Sequence, residues 1–399
     1  MTKADIINSA FTVWGQNHYL NTSLSSLAQE LGVSKAALYR HFKNKQALLD
    51  AMYEHFFDDY TNYIRDDYNK ALETKDKLKS FNIINRSIMK YYLCNPMLFA
   101  FSLILVYKNR NTDKAVEQLH LRNMNMEFFN PILKNETGYP SLIQLIVATL
   151  LYFIAQFHHQ NYLKGQKPTE EAINNIITAT NTTVGHGLAL DKETVGKLDY
   201  KKLENNIANI PPEPVNDILH QAVAAAVAEA GPWNVSMEMI ASRCGLSKSG
   251  LYAHYKNKQD ILNKFFSREF ERIVTFSKTC TKNAATPEEK LYLTIISIAN
   301  YLRSQPEILL SIEWTRARQF NIKHMISPRF DWILSNIKIK RKISSGENSI
   351  ADQIAQWIFF LIINTLIRRS PGMDYNDVSY DSFRFLFRFI SLGLEGLNN

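Results

Sequence analysis

Apolar residues between Leu24 and Leu31 fall at Leu24, Leu27, Ala28 and Leu31. That is the i, i+3, i+4, i+7 spacing of a single helical stripe. Ser23, just ahead, is a residue type that caps helix N-termini, and Gly32, just after, supplies the left-handed conformation that ends a helix. Val33 then leads to Ser34, a second N-cap, and a second short helix follows from Lys35 to about His41. Two short helices joined by a tight glycine turn make a helix-turn-helix. Within the second helix, Leu38 and Phe42 point to a core, and Lys35, Ala36, Tyr39 and Arg40 share the opposite face. That face is basic, aromatic and small, as a helix laid in a DNA major groove requires. Asn44 caps a further helix.

The pattern occurs twice. SKAALYRHFKNKQALL, Ser34 to Leu49, returns as SKSGLYAHYKNKQDIL, Ser247 to Leu262, and Gly245 lies 213 residues after Gly32 with no gap between the first and fourth helices of each copy. The second face reads Lys248, Ser249, Tyr252 and Ala253, and Asn257 stands for Asn44. Further on, Asn95-Pro96 answers Gln305-Pro306, the uncharged run Ser141 to Leu163 answers Ile354 to Ile367, and VGHGLAL answers SLGLEGL. A period of about half the chain means a tandem duplication and excludes a solenoid. The seam, charged and then proline-rich, reads as a linker. The expected organisation is a first helix-turn-helix domain over 1–48, a first C-terminal helical domain over 49–190, and a linker over 191–214. A second helix-turn-helix domain over 215–261 and a second C-terminal helical domain over 262–399 follow.

Few glycines and prolines, 14 and 12 in 399 residues, favour an all-α fold over turn-rich sheet. Three cysteines without a C-x-x-C spacing argue against a disulfide framework and a zinc ribbon. The first residues lack an apolar run followed by a small-residue cleavage site, so no export signal is read there. The stretch Thr137 to Leu163 has no Asp, Glu, Lys or Arg, but it holds Gln144, Gln156, His158 and Asn161 and reads as a buried interface helix. Net charge is +8, which favours anionic partners. Lys43, Lys45, Lys256 and Lys258 crowd helix starts where cations are disfavoured, so an anion such as a phosphate is expected there. The cluster Lys338, Lys340, Arg341 and Lys342 reads as a solvated loop. His158 and His159 point about 100° apart on a helix and make a poor metal pair. With no Gly-rich phosphate loop, G-x-S-x-G or metal-ligand spacing, no enzyme activity, cofactor or metal is expected.

TSLSSLAQELGVSKAALYRHFKNKQALL and its counterpart VSMEMIASRCGLSKSGLYAHYKNKQDIL resemble the DNA-binding domain of TetR/AcrR-family transcriptional regulators. The resemblance covers roughly 50 residues of each half. It implies an all-helical subunit with three N-terminal helices on DNA and a long fourth helix leading to an effector-binding and dimerising domain. Such regulators act as homodimers on palindromic operators; with both subunits in one chain, the implication is a monomeric chain acting as an intramolecular pseudo-dimer. The uncharged helices near 141–163 and 350–367, with the last helix of each half, would form its internal four-helix interface. Carried across, the family's phosphate contacts fall on Thr22, Ser23, Tyr39, His41 and Lys45, and on Ser236, Tyr252, His254 and Lys258. Base contacts fall on Lys35, Ala36, Ala37 and Arg40, and on Lys248, Ser249 and Gly250. Ser34 and Ser247, at the helix starts, complete the DNA-facing set. His18 departs from a common glycine, Val235 from a phosphate-binding threonine, and Gly250 weakens its helix by up to about 1 kcal/mol relative to alanine. Arg40 against Ala253 makes the two reading heads unlike, so an asymmetric operator is expected. The function implied is a cytoplasmic, ligand-responsive repressor that binds double-stranded DNA and a small-molecule effector, with no membrane partner. A protein-interaction or sensor module with one or both helix-turn-helix copies degenerate stays open as the alternative.

Overall fold

The computed structural model describes residues 2–16, 23–109, 112–125, 142–164, 167–214, 216–317, 331–334, 350–367 and 378–397. Thr22, His18 and the 338–342 basic cluster lie outside the described residues. Among the described residues there are helices and connections only, with no strand. They fall into two compact units: residues 1–133 with 156–177, and residues 134–155 with 178–399.

In the first unit, α1 (Lys3–Gln16), α2 (Leu24–Glu30), α3 (Lys35–His41) and the 29-residue α4 (Lys45–Glu73) lead to α5 (Lys77–Cys94), α6 (Pro96–Asn109) and α7 (Thr112–Leu121). Ile6, Ala10 and Phe11 of α1 share one core with Leu27, Leu38, Leu48, Met52, Phe56 and, from the later helices, Tyr91 and Phe101. The join between the helix-turn-helix head and the C-terminal helices is aromatic: the Phe11 and Phe101 rings meet edge-on, 4.9 Å apart. Arg122, just after α7, holds Glu54 and Asp58 of α4 at 2.7 Å each, which fixes the end of α7 along the long helix.

Two helices pass from one unit to the other, α8 (Leu142–Lys164) and α9 (Glu170–His186). Within the first unit, Arg86 of α5 donates to Asn174 of α9 at 3.2 Å. His158 of α8 lies buried beside Phe99, its Nε2 donating to the Tyr92 carbonyl at 3.0 Å. Burial pulls its pKa down to about 4. A histidine kept neutral in the fold contributes stability that is complete above its unfolded pKa of roughly 6.5 and is lost as pH falls toward 4. His158→Gln keeps an N–H for the carbonyl and takes up no proton. Urea unfolding at pH 7 and pH 4 is therefore expected to show a loss smaller in the variant by about 3 kcal/mol; an equal loss in both proteins would place the acid sensitivity elsewhere.

The second unit begins, after the last turns of α9, with two short helices, α10 (Lys192–Gly196) and α11 (Tyr200–Ala208). They occupy most of the segment whose charge and prolines suggested a linker. Val195, Leu203 and Ile207 are buried, and the buried Glu204 takes both oxygens' worth of hydrogen bonds from Arg384, Nε at 2.7 Å and Nη2 at 2.5 Å, with the Tyr292 hydroxyl adding a third at 2.5 Å. A few apolar residues among many charges hid this docking in the sequence. Then come α12 (Ile218–Asn234, broken at Gly231), α13 (Met237–Cys244), α14 (Lys248–His254) and α15 (Lys258–Thr281). α16 (Pro287–Ser304), α17 (Pro306–Ala317), a 3-10 turn (Asp331–Leu334), α18 (Ile350–Ile367) and α19 (Tyr380–Leu397) complete the unit.

The largely apolar helices α8 and α18 meet inside this unit. Trp357 of α18, fully buried, donates to Thr149 of α8 at 3.1 Å, and the Tyr152 hydroxyl donates to the Gln353 carbonyl at 2.8 Å. By length and apolarity Leu142–Asn161 would suit a bilayer span. Leu145, Thr149, Tyr152 and Phe153 are nevertheless buried in protein, which accounts for the missing charges. The closing segments of the two halves also cross: the Leu188 N–H donates to the Ile390 carbonyl at 2.8 Å and the Leu190 N–H to the Ser391 carbonyl at 3.0 Å. Gly187 and Gly393, both left-handed with φ of 54° and 62°, lie backbone to backbone at the crossing.

Candidate nucleic-acid interface

Each head is built by serine and asparagine caps. Ser23 accepts from the Ser26 N–H at 3.0 Å, Ser34 from Ala37 at 3.1 Å and Asn44 from Ala47 at 2.8 Å. The second copy repeats this with Ser236 on Met239 at 3.2 Å, Ser247 on Gly250 at 3.0 Å and Asn257 on Asp260 at 2.9 Å. Gly32 and Gly245 take φ of 64° and 70° between the two short helices, which an L side chain would resist. Leu38 and Leu251 are fully buried and pin α3 and α14 by one face only. The other face is left to solvent.

On that free face of α3 lie Lys35, Ala36, Tyr39 and Arg40, all exposed, with Ala37 half-buried at its edge. Tyr39 is 43% exposed, too much for a large aromatic that serves packing alone, and the Lys35 ammonium stands 5.7 Å from its ring centre. His41 is exposed at the helix end and Lys45 half-buried at the start of α4. On α14, Lys248, Ser249, Tyr252 (47% exposed) and His254 form the equivalent face, with Gly250 half-buried and Lys258 half-buried at the start of α15. Both faces join a cationic edge to an exposed phenol, a combination suited to phosphate contact beside a groove. The hydroxyls of Ser23, Ser34, Ser236 and Ser247 accept as caps, which aims the helices and their N-terminal N–H groups.

Two acidic residues divide the heads, and the roster of basic and aromatic positions had missed them. Glu238 of α13 forms an ion pair with Lys248, which holds its carboxyl below and the ammonium above their usual ranges. The first copy has Ser25 at that position, so Lys35 meets no such acid. Asp260, in the first turn of α15, accepts from the Lys256 N–H at 3.1 Å and the Lys264 ammonium at 3.2 Å. The Lys256 N–H lowers its pKa. The first copy has Ala47 there, leaving the positive end of α4 without a carboxylate in its first turn. A phosphate approaching the second head must compete with a carboxylate at both places. The signal was present in the aligned copies, as Ser25 against Glu238 and Ala47 against Asp260.

This asymmetry makes a test. Glu238→Ser, the residue of the first copy, is expected to tighten DNA binding by roughly two- to fivefold, the scale of an exposed ion pair. It should also steepen the salt dependence by about 0.9 in log K against log salt, as one more lysine becomes free to displace a counterion. Fluorescence anisotropy across a KCl series reads both; an unchanged slope would mean that Lys248 does not meet phosphate.

The pattern of caps, buried leucine and exposed lysine-tyrosine face corresponds to a known domain. The family described as bacterial regulatory proteins, tetR family, matches twice, over residues 6–52 and 218–265. Each of the two heads is a tetR-family DNA-binding domain. The chain carries that domain as a tandem duplication. Among curated tetR-type relatives, the biofilm operon icaADBC HTH-type negative transcriptional regulator IcaR of Staphylococcus aureus is 32% identical over 79 residues, 20% of this chain and 42% of the relative. The fatty acid metabolism regulator protein of Bacillus subtilis is 26% identical over 142 residues, 36% of this chain and 64% of the relative. The chain thus spans less than two thirds of the length of either. Among solved structures, the transcriptional regulator FadR of Bacillus subtilis in complex with stearoyl-CoA aligns with TM-score 0.31 and 21% identity, covering 42% of this chain and 96% of that one. FadR from Bacillus halodurans aligns with TM-score 0.33 and 18% identity, covering 45% and 95%. Both curated relatives are named as regulators.

Proposed function

We propose that this protein reads one asymmetric DNA site with the two unlike heads of a single chain, as an intramolecular pseudo-dimer in the cytoplasm. The observation that carries the reading is the presence of two complete heads, each with its own caps, buried leucine and exposed lysine-tyrosine face. The packing inside the second unit supports the pseudo-dimer: α8 from the first half lies against α18 from the second, and the glycine ends of the two halves cross. Family subunits pair through the corresponding helices, so the duplication supplies from one chain what two subunits supply elsewhere. The first head should carry more of the affinity because Ser25 and Ala47 stand where the second head has Glu238 and Asp260. Repression, release by a small-molecule effector, and the base and phosphate roles of the individual residues named above are part of this proposal. The negative regulator among its relatives and the ligand-bound FadR structure motivate the first two.

Selection of bound sequences from random duplex DNA tests it, using the full chain, Tyr39→Ala and Tyr252→Ala. Two unlike half-sites are expected, about one helical turn or a multiple apart, each losing definition only with its own variant. Tyr39→Ala should weaken binding about tenfold or more, the scale of a lost hydrogen bond to a charged group. One half-site indifferent to Tyr252→Ala would reduce the second head to a scaffold. No enriched site would favour the interaction-module alternative.

A further inference from the structure

Near the C-terminal end of α16, Arg303 turns its guanidinium between two rings of α19, 5.5 Å from the centre of Tyr380 and 5.0 Å from that of Phe383. Its Nε and Nη2 are both buried, and neither has a hydrogen-bond acceptor. The hydroxyl of Ser379, next to Tyr380, is likewise buried without a partner. The neighbouring Tyr380 hydroxyl is already taken, accepting from Asn300 at 3.0 Å. Burial lowers the Arg303 pKa, and no carboxylate is among the groups acting on it. The two rings give the guanidinium a cation–π setting, but its Nε and Nη2 hydrogens are desolvated with no acceptor, which costs free energy that an incoming acceptor would recover.

Two comparisons within the molecule give the arrangement a purpose. Arg384 uses the same pair of atoms, Nε and Nη2, to grip both oxygens of Glu204. That edge of a guanidinium is a fork matched to a carboxylate or a phosphate. The second comparison is with the other half. Asn95 and Gln305 end their helices in the same way, φ −126° and ψ 72° against φ −132° and ψ 69°, and each donates to the carbonyl three residues back. Counting back two residues from each cap pairs Arg303 with Leu93, a buried core leucine. At one backbone position, the first half has an aliphatic side chain and the second a guanidinium with its fork unmatched.

We infer that Arg303 is the receptor for an oxyanion of the effector, a carboxylate or phosphate gripped across Nε and Nη2, so that an acidic ligand with an apolar body is recognised by the second half only. This rests on the ligand-responsive reading above, but binding is measured without DNA, so the two can fail separately. The probes are octanoate, octyl phosphate, octanol and inorganic phosphate, added to the full chain and to Arg303→Leu, with thermal unfolding as the readout. For the parent chain, octanoate or octyl phosphate is expected to bind about tenfold or more tightly than octanol, and Arg303→Leu should erase that difference. Preference between the two charged amphiphiles separates carboxylate from phosphate; stabilisation by inorganic phosphate alone would assign the site to the free ion. Without any probe, Arg303→Leu should be at least as stable as the parent, because it removes two buried N–H donors that have no acceptor. The inference is overturned if no oxyanion outdoes octanol, if Arg303→Leu keeps the preference, or if the unliganded variant is markedly less stable, which would mark the guanidinium as a structural group.

Discussion

Glu269→Ala is expected to destabilise the protein by about 3–5 kcal/mol, the usual consequence of removing one partner from a buried pair. Glu269 of α15 is fully buried, and its carboxylate accepts from His220 of α12 through one oxygen and from the Tyr301 hydroxyl of α16 through the other, the latter at 3.0 Å. Arg272 approaches the first oxygen at 4.0 Å. Three helices therefore converge on one carboxylate: the first helix of the DNA-reading head, the long connecting helix, and a helix of the C-terminal domain. Alanine would leave the imidazole and the phenol in the core without their acceptor. The first half solves the same joint with Ile7, Phe56 and Tyr91, all buried. His220→Leu with Glu269→Met should consequently cost far less than Glu269→Ala, since an apolar pair of similar volume can replace a buried hydrogen-bonded polar pair at little loss. Urea unfolding of the three chains decides this. A double variant as unstable as the single would show that the joint depends on its hydrogen bonds and that an apolar filling cannot replace them.

Gly393→Ala carries the second large effect. Alanine is poorly suited to φ near 62°, at about 1–2 kcal/mol. Its Cβ would also fall closer than 3.0 Å to backbone atoms of Gly185, His186 and Gly187, and backbone cannot swing aside as a side chain can; such overpacking costs about 1–3 kcal/mol. Gly187→Ala should behave alike, because its Cβ would meet backbone atoms of Ile390, Leu392 and Gly393. Gly196→Ala is the control, with nothing within 4 Å of the added atom, and should leave stability within about 0.5 kcal/mol. The urea midpoints of the three variants check the expectation. A parent-like midpoint for Gly393→Ala would mean that the two half-ends part without loss and would remove a support of the pseudo-dimer.

The heads were legible because their information is local. Caps at Ser23, Ser34 and Asn44, the stripe Leu24, Leu27, Ala28 and Leu31, and the glycine turn each act within a few residues, and the second copy repeats them at a fixed offset. The uncharged stretches near 141–163 and 354–367 announced buried helices for a similar reason, since a helix with few charges must be covered. Docking of 192–208 escaped notice because its apolar residues are few and its decisive partner, Arg384, lies 180 residues from Glu204. The inequality of the heads was written in Ser25 against Glu238, yet an acid near a basic face gains meaning only once its reach to Lys248 is known.

By itself, then, the sequence determined the helical class, the duplication, the two reading heads and the face that each presents, because periodicity, capping and left-handed turns are properties of neighbouring residues. Tertiary structure alone decided that Glu238 and Asp260 lie at the second head, that the joint behind each head is aromatic in one half and hydrogen-bonded through a carboxylate in the other, and that the Nε and Nη2 of Arg303 are buried without an acceptor. These depend on which distant side chains share a low-dielectric interior, where an unpaired charge is costly and a paired one is held fast.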